Sequence, residues 1–213
     1  MRTNPFYDAW LFLIGSTDDH HTLGALGYVF VVLFLALLVA TLWIAAANWR
    51  HDPNQRTGTH VATWLCRVLI GCMWFQGCLW KLPLPYSEAF ADWTRQIGEH
   101  AAFAFHRDFA RTILVPYLAF LTPIVFLAEL SFAITMILGF AVRLFASLAA
   151  LFALNLWLGL YTHPAEWPWN YFFIVIIHVL FVAHAAGRSL GLDALLRRNS
   201  RAGPIGRLAA IAG

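Results

Sequence analysis

Residues 61–80 read VATWLCRVLIGCMWFQGCLW, an apolar run whose one formal charge is Arg67. A helix of this length rises 1.5 Å per residue and matches the ~30 Å hydrocarbon core of a bilayer. The run therefore predicts a transmembrane helix that carries an arginine inside it. Working outward, Leu23–Ala47 (LGALGYVFVVLFLALLVATLWIAAA) is a second candidate span without any charge. Downstream, Ile113–Val142 carries only Glu129, and Leu144–Thr162 and Trp167–Gly187 carry none. Five spans are expected. The third is long and includes Pro123, which removes a helix hydrogen bond and predicts a kink.

Composition supports this reading. Of 213 residues, 61% are apolar and 12% charged, well below the quarter usual in soluble domains. The net charge of +3 comes without a basic cluster interleaved with aromatics, which argues against a nucleic-acid partner. Cys66, Cys72 and Cys78 recur every six residues, which is neither a redox nor a zinc spacing, so they read as packing residues. Arg2 is the sole basic residue before the first apolar run, and that run is too long for a cleaved signal.

Lysine and arginine counts orient the chain. With the N-terminus outside, Arg50, Arg56, Arg67, Arg143, Arg188, Arg197, Arg198, Arg201 and Arg207 fall on or towards the cytoplasmic side. Arg2, Lys81, Arg95, Arg107 and Arg111 fall outside, as do the tyrosines and most outer-loop tryptophans. The expected fold is thus an all-α membrane protein of five spans, N-out and C-in. Residues 1–60 hold an outer segment, an extra helix and a cytoplasmic loop. Residues 61–196 hold a four-helix core, and residues 197–213 a basic cytoplasmic tail suited to an anionic inner leaflet. Within the second loop, about 86–111, Phe90, Trp93, Ile97 and Ala101 recur at helical spacing. Glu88, Asp92, Arg95 and Glu99 lie off that stripe, which predicts an amphipathic helix on the outer membrane surface.

Charges inside spans mark the candidate chemistry. A buried charge in lipid costs about 3 kcal/mol or more on insertion scales and normally finds a partner. Arg67 and Glu129 fall at similar depth, within roughly one turn, when counted along their helices. They are expected to pair inside the bundle, either as a static lock or as a carboxylate tuned for protons. His178, near the middle of the fifth span, is either a proton relay or quinone-carbonyl donor, or a histidine bonded to a neighbouring helix. Asn155 on the fourth span offers the same choice, with helix–helix bonding favoured. At the outer rim, Lys81 beside Trp80 and the run Glu166-Trp167-Pro168-Trp169-Asn170 adjoin helix ends that would frame a cavity. Basic and aromatic groups there suit a small anion above and a flat lipid-soluble ring below. No second histidine stands opposite His178 at matching depth, so no haem is expected. His20 and His21 are adjacent loop residues, and no metal is expected from them.

These residues resemble a known family. Arg67 with Gly71, Gly77 and Lys81, then Glu129 followed by Leu138, Gly139 and Arg143, are similar to the DoxX/DoxD membrane proteins. So are Glu166-Trp167-Pro168-Trp169 and Gly187-Arg188-Ser189-Leu190-Gly191-Leu192-Asp193. The resemblance spans about Arg67 to Asp193 and implies a DoxX-like four-helix bundle with one helix added in front. It implies the membrane subunit of thiosulfate:quinone oxidoreductase in a prokaryotic cytoplasmic membrane. Thiosulfate would be oxidised outside and quinone reduced as substrate, with no haem, flavin or metal in this chain and with further subunits of a redox complex. On that reading Arg67, Glu129 and His178 handle the quinone and its protons. Lys81, Trp80, Trp167, Trp169, Asn170 and Asn155 shape its binding site. The alternative is a non-catalytic anchor or assembly subunit of a larger respiratory complex. A small-anion transporter is disfavoured because no inverted repeat is visible.

Overall fold

The computed structural model describes residues 23–167 and 169–199, together with Asn4, Tyr7 and Leu11. Most of the N-terminal outer segment, Pro168 and residues 200–213 of the basic tail lie outside the described residues. The described chain is helical: α1 Ala25–His51, α2 Gly58–Leu79, α3 Glu88–His100, α4 Ala104–Phe109, α5 Leu118–Leu138, α6 Val142–Gly159, α7 Trp169–Ala183 and α8 Leu192–Asn199. Among the described residues, α1, α2, α5 and α6 are long and apolar enough to cross a membrane. The fifth expected span, α7, is apolar but has 15 residues. At 1.5 Å per residue it reaches about 22 Å, shorter than the ~30 Å hydrocarbon core.

Helix α1 shows why these are lipid-facing helices. It is apolar all round, yet its buried residues are Phe34, Leu37, Thr41, Ile44 and Asn48. That spacing of three and four makes a narrow seam, while Val32, Val39, Leu42 and Trp43 stay exposed. In water such a surface would collapse; in a bilayer it meets acyl chains. The seam packs into the groove between α2 and α5. There Phe34 lies 5.0 Å from Phe75, and Phe30 lies 6.1 Å from Phe126, ring centre to ring centre.

The four remaining membrane helices pair as α2 with α5 and α6 with α7. Small residues set these distances. Val142, Ala146, Ala149, Ala153 and Gly159 are the buried positions of α6, a stripe that lets neighbouring backbones come close. On α2, a Cβ at Gly71 would stand 2.8 Å from the Ile137 backbone nitrogen of α5, so only glycine allows this approach.

The expected long third span breaks at both ends. Helix α5 starts at Leu118, after a π-helical turn at Ala110–Leu114, and keeps Pro123 inside it. It stops at Gly139, whose φ of 71° closes the helix in the left-handed region. Ala141, also left-handed, then starts α6. This gives a tight turn at the end of the bundle that the arginine count assigns to the cytoplasm.

Candidate functional site

Arg67 is fully buried, but it does not pair with Glu129. Its Nη1 donates to the carbonyls of Met136 and Ile137. Both carbonyls belong to the last turn of α5, where four carbonyls lack a helical partner and the helix dipole is negative. Asp193 does the converse at the start of α6. Its Oδ1 accepts from the Ala141 N–H at 2.7 Å and its Oδ2 from the Val142 N–H at 3.1 Å. A cation caps the end of one helix and an anion the beginning of the next. Burial pushes the Asp193 carboxyl above its ordinary 3.8, while these N–H bonds and Arg67 oppose the rise.

The surroundings of this turn are filled. A Cβ at Gly139 would stand 2.7 Å from the Arg67 Nη1 and from the Gly191 Cα, and one at Gly187 would overlap the Asp193 carboxylate. Asn48 of α1 donates to the Gly191 carbonyl at 2.9 Å, and the Leu190 N–H donates to Gln55 at 2.7 Å. His60 and Ser189 meet at 2.9 Å. The expected pairing of Arg67 with Glu129 is therefore corrected, and with it the placement of Arg67 beside a ligand. Its guanidinium serves unsatisfied backbone that residue types alone do not reveal.

Glu129 has another partner. Lys81, the second residue past α2, folds back along its own helix. Its Nζ donates to the Gly77 carbonyl at 2.9 Å and to the Glu129 Oε2 at 2.6 Å. Both side chains are buried, with 11% and 3% of their surface exposed. Lysines at span ends usually extend outward to water; this one turns inward because a carboxylate lies below it.

Beside this pair is a cavity of about 320 Å³. Met73, Trp74, Gly77, Trp80 and Lys81 line it from the α2 side, and Glu129 from α5. Phe152, Ala153, Leu156 and Leu160 line it from α6, and Glu166, Tyr171 and Ile174 from the start of α7 and the loop before it. Its roof is α3, through Phe90, Trp93, Thr94 and Ile97. The amphipathic helix expected in the second loop thus exists; its buried residues are Ala91, Thr94, Ile97 and Gly98, with Phe90 and Trp93 of the expected stripe half-buried. It differs from the expectation in what it covers: its apolar side lies on the bundle, over the cavity. Ser87 caps it, accepting from the Phe90 N–H.

The end of the roof is fastened to the last turn of α6 and to the loop that follows it. The Ala102 N–H donates to the Leu158 carbonyl at 2.8 Å, and the Thr162 N–H to the His100 carbonyl at 3.1 Å. His163 packs 5.2 Å from Trp93 and 4.9 Å from His100, centre to centre. Gly159 leaves room for Ile97 and His106, whose atoms stand 3.2 and 3.3 Å from where its Cβ would be.

Other expected site residues stand apart from the cavity. His178 is fully buried and has both ring nitrogens engaged. Its Nδ1 is 2.7 Å from the Ile174 carbonyl, and its Nε2 accepts the Trp74 indole N–H at 3.0 Å. These bonds fix the neutral tautomer with the proton on Nδ1. His178 does not line the cavity; it holds Trp74, which does. Trp167 and Trp169 are 59% and 50% exposed, and Asn170 is exposed. None of the three lines the cavity, because the helical turn at the start of α7 points them outward. Asn155 is exposed too, on α6, and does not line the cavity. Of the expected residues, Lys81, Trp80 and Glu129 come together. Trp74, Trp93 and Tyr171 join them unforeseen.

A family model described as TQO small subunit DoxD matches residues 63–211. The chain belongs to the DoxD family. The match covers α2 through α8 and continues past the described residues, so α1 precedes the DoxD region. Comparison with curated proteins and with solved structures found no match. The residues on which the DoxD resemblance rests divide between two places. Arg67, Gly71, Gly139, Gly187, Gly191 and Asp193 build the filled turn, whereas Gly77, Lys81, Glu129 and Glu166 border the cavity.

Proposed function

We propose that this chain is the membrane subunit of a quinone-linked oxidoreductase in a prokaryotic cytoplasmic membrane, joining thiosulfate oxidation to quinone reduction with at least one further subunit. The quinone headgroup occupies the cavity beside Lys81 and Glu129. The observation that carries this reading is a lysine–carboxylate pair bordering a cavity whose other walls are mostly apolar, with aromatic rings from α2, α3, α6 and α7 among them. A flat ring with polar edges needs apolar faces to stack on and a few placed polar groups to orient it. Trp74, Trp80, Trp93 and Phe152 supply the faces. Lys81 supplies the orienting group: an ammonium has three N–H donors, and among the described residues two are used.

The chemistry balances within this arrangement. Two thiosulfate ions joined as tetrathionate release two electrons. Quinone takes these with two protons and becomes quinol. The Lys81 ammonium stabilises negative charge developing on a quinone oxygen, and Glu129, taking up a proton from water before each transfer, delivers the two protons in turn. The family description supports the subunit assignment, because it names the small subunit of the thiosulfate enzyme.

The test is thiosulfate-dependent quinol formation in membranes containing the assembled complex. Glu129→Gln keeps the shape of the side chain and removes its proton. It should lower the rate by ~10²-fold or more, the usual weight of a general acid or base. An unchanged rate removes Glu129 from the mechanism.

A further inference from the structure

We propose, building on the quinone reading, that Glu129 exchanges protons only with the aqueous phase on the α3 side of the membrane, along Tyr171 and Glu166. The quinol's protons are then drawn from the same side as the roof helix, which the arginine count places outside.

The titratable groups lining the cavity are Lys81, Glu129, Glu166 and Tyr171. Glu166 lies in the loop before α7, at the outer end, and is only partly buried. Tyr171, in the first turn of α7, lines the same cavity as both carboxylates. A phenol can accept a proton on its oxygen while giving up its own, and the cavity has room for several bridging waters. Cys78 also lies near the Lys81–Glu129 pair, but its thiol donates to the Phe75 carbonyl at 3.1 Å.

The opposite direction is closed. The Trp74 indole forms the floor, packed edge-on against Phe132 at 5.4 Å and Phe152 at 5.8 Å. Beyond it, the groups that titrate before Arg67 on the facing helices are Cys72 and His178. Cys72 packs against the apolar core. Moving a proton through His178 would require breaking its bond to Trp74 or to Ile174. Next come the Met136 and Ile137 carbonyls, held by Arg67 in a turn with no room for a methyl group.

The test is thiol labelling of the full chain in membrane vesicles. Leu156→Cys places a thiol in the cavity, Glu99→Cys marks the α3 side and Arg197→Cys marks the other side. A charged, membrane-impermeant methanethiosulfonate, followed by peptide mapping, reports which thiols react from each face. Position 156 should react from the face where position 99 reacts. Reaction from the face of position 197, or from neither face, overturns the proposal. In the assembled complex, Glu166→Gln and Tyr171→Phe should each slow quinol formation by at least ~10-fold. An unchanged rate in both overturns the relay. Protection of position 156 by a short-chain quinone tests the quinone reading separately. Absence of protection sinks that reading and leaves the sidedness result standing.

Discussion

The two ends of the bundle each bury a charged pair, and they use it in opposite ways. At the Arg67–Asp193 end, every charge answers a backbone group left over where one helix stops and the next begins. The surrounding glycines leave no room for even a methyl group. At the Lys81–Glu129 end the charges answer each other, and about 320 Å³ of space lies beside them. A charge inside a membrane helix is thus not by itself a sign of chemistry. What separates a structural charge from a chemical one is whether a ligand has somewhere to stand.

The largest effect expected from this contrast is a difference between glycines. Gly71→Ala would drive a methyl into the Ile137 backbone, and Gly139→Ala would meet Arg67 from a residue with φ of 71°. Each should lower stability by about 3 kcal/mol or more, seen as a collapse of the thermal transition in detergent. Gly77→Ala, whose Cβ would stand an ordinary 3.8 Å from the Glu129 carboxylate, should be tolerated. Equal losses at both ends would erase the contrast.

Next in size is the response to removing pairs. Lys81→Met leaves Glu129 buried without its cation, and breaking such a pair costs ~3–5 kcal/mol. The double variant Lys81→Met with Glu129→Leu should recover most of that stability while losing quinone protection of the cavity. At the other end, Arg67→Met with Asp193→Leu should show no recovery, because each charge serves its own helix end. A recovery there, measured in the same thermal assay, would mean that the two charges mainly serve one another.

This difference also explains how much was readable beforehand. The apolar runs placed the membrane helices, since hydropathy is local. The stripe Phe90, Trp93 and Ile97 placed α3. The pairing of Arg67 with Glu129 failed because counting depth treats all helix ends as lying in one plane. Glu129 sits about 16 Å into α5, yet it meets a lysine just past the end of α2. That lysine also folds inward by one turn, a choice of rotamer set by its partner. The partners of Arg67 escape a sequence reading for another reason. Its acceptors are main-chain carbonyls, and they became available only because Gly139 ends the helix there. A position inside a span does not announce that a neighbouring helix stops beside it.

A smaller effect is expected at the floor. His178→Leu removes the acceptor of the Trp74 indole N–H, leaving a buried donor unpaired at a cost of about 1–3 kcal/mol. The headgroup should bind less tightly because its stacking surface is no longer held. The pH profile of quinol formation should keep its shape, since His178 carries no proton in the reaction. A shifted profile would return His178 to the proton path and weaken the division between floor and cavity.

The smallest effect belongs to the roof and depends on pH. His106 is buried where α4 meets Gly159, and burial holds its imidazole below the ordinary 6.5, with the Asn155 amide opposing the shift. The folded state therefore takes up a proton less readily than the unfolded one. Above 6.5 both states are neutral at this position and the contact is at full strength. As pH falls from 6.5 through the lower folded-state value, the unfolded chain binds the proton first, and stability is lost over that window. Hydrogen exchange of the α3 and α4 amides, compared above and below the window, should show faster opening on the acid side. His106→Asn should flatten the difference while leaving the amides of the Gly139 turn unchanged. If the turn loosens with acid as much as the roof does, the titrating group lies elsewhere and the roof has no pH response of its own.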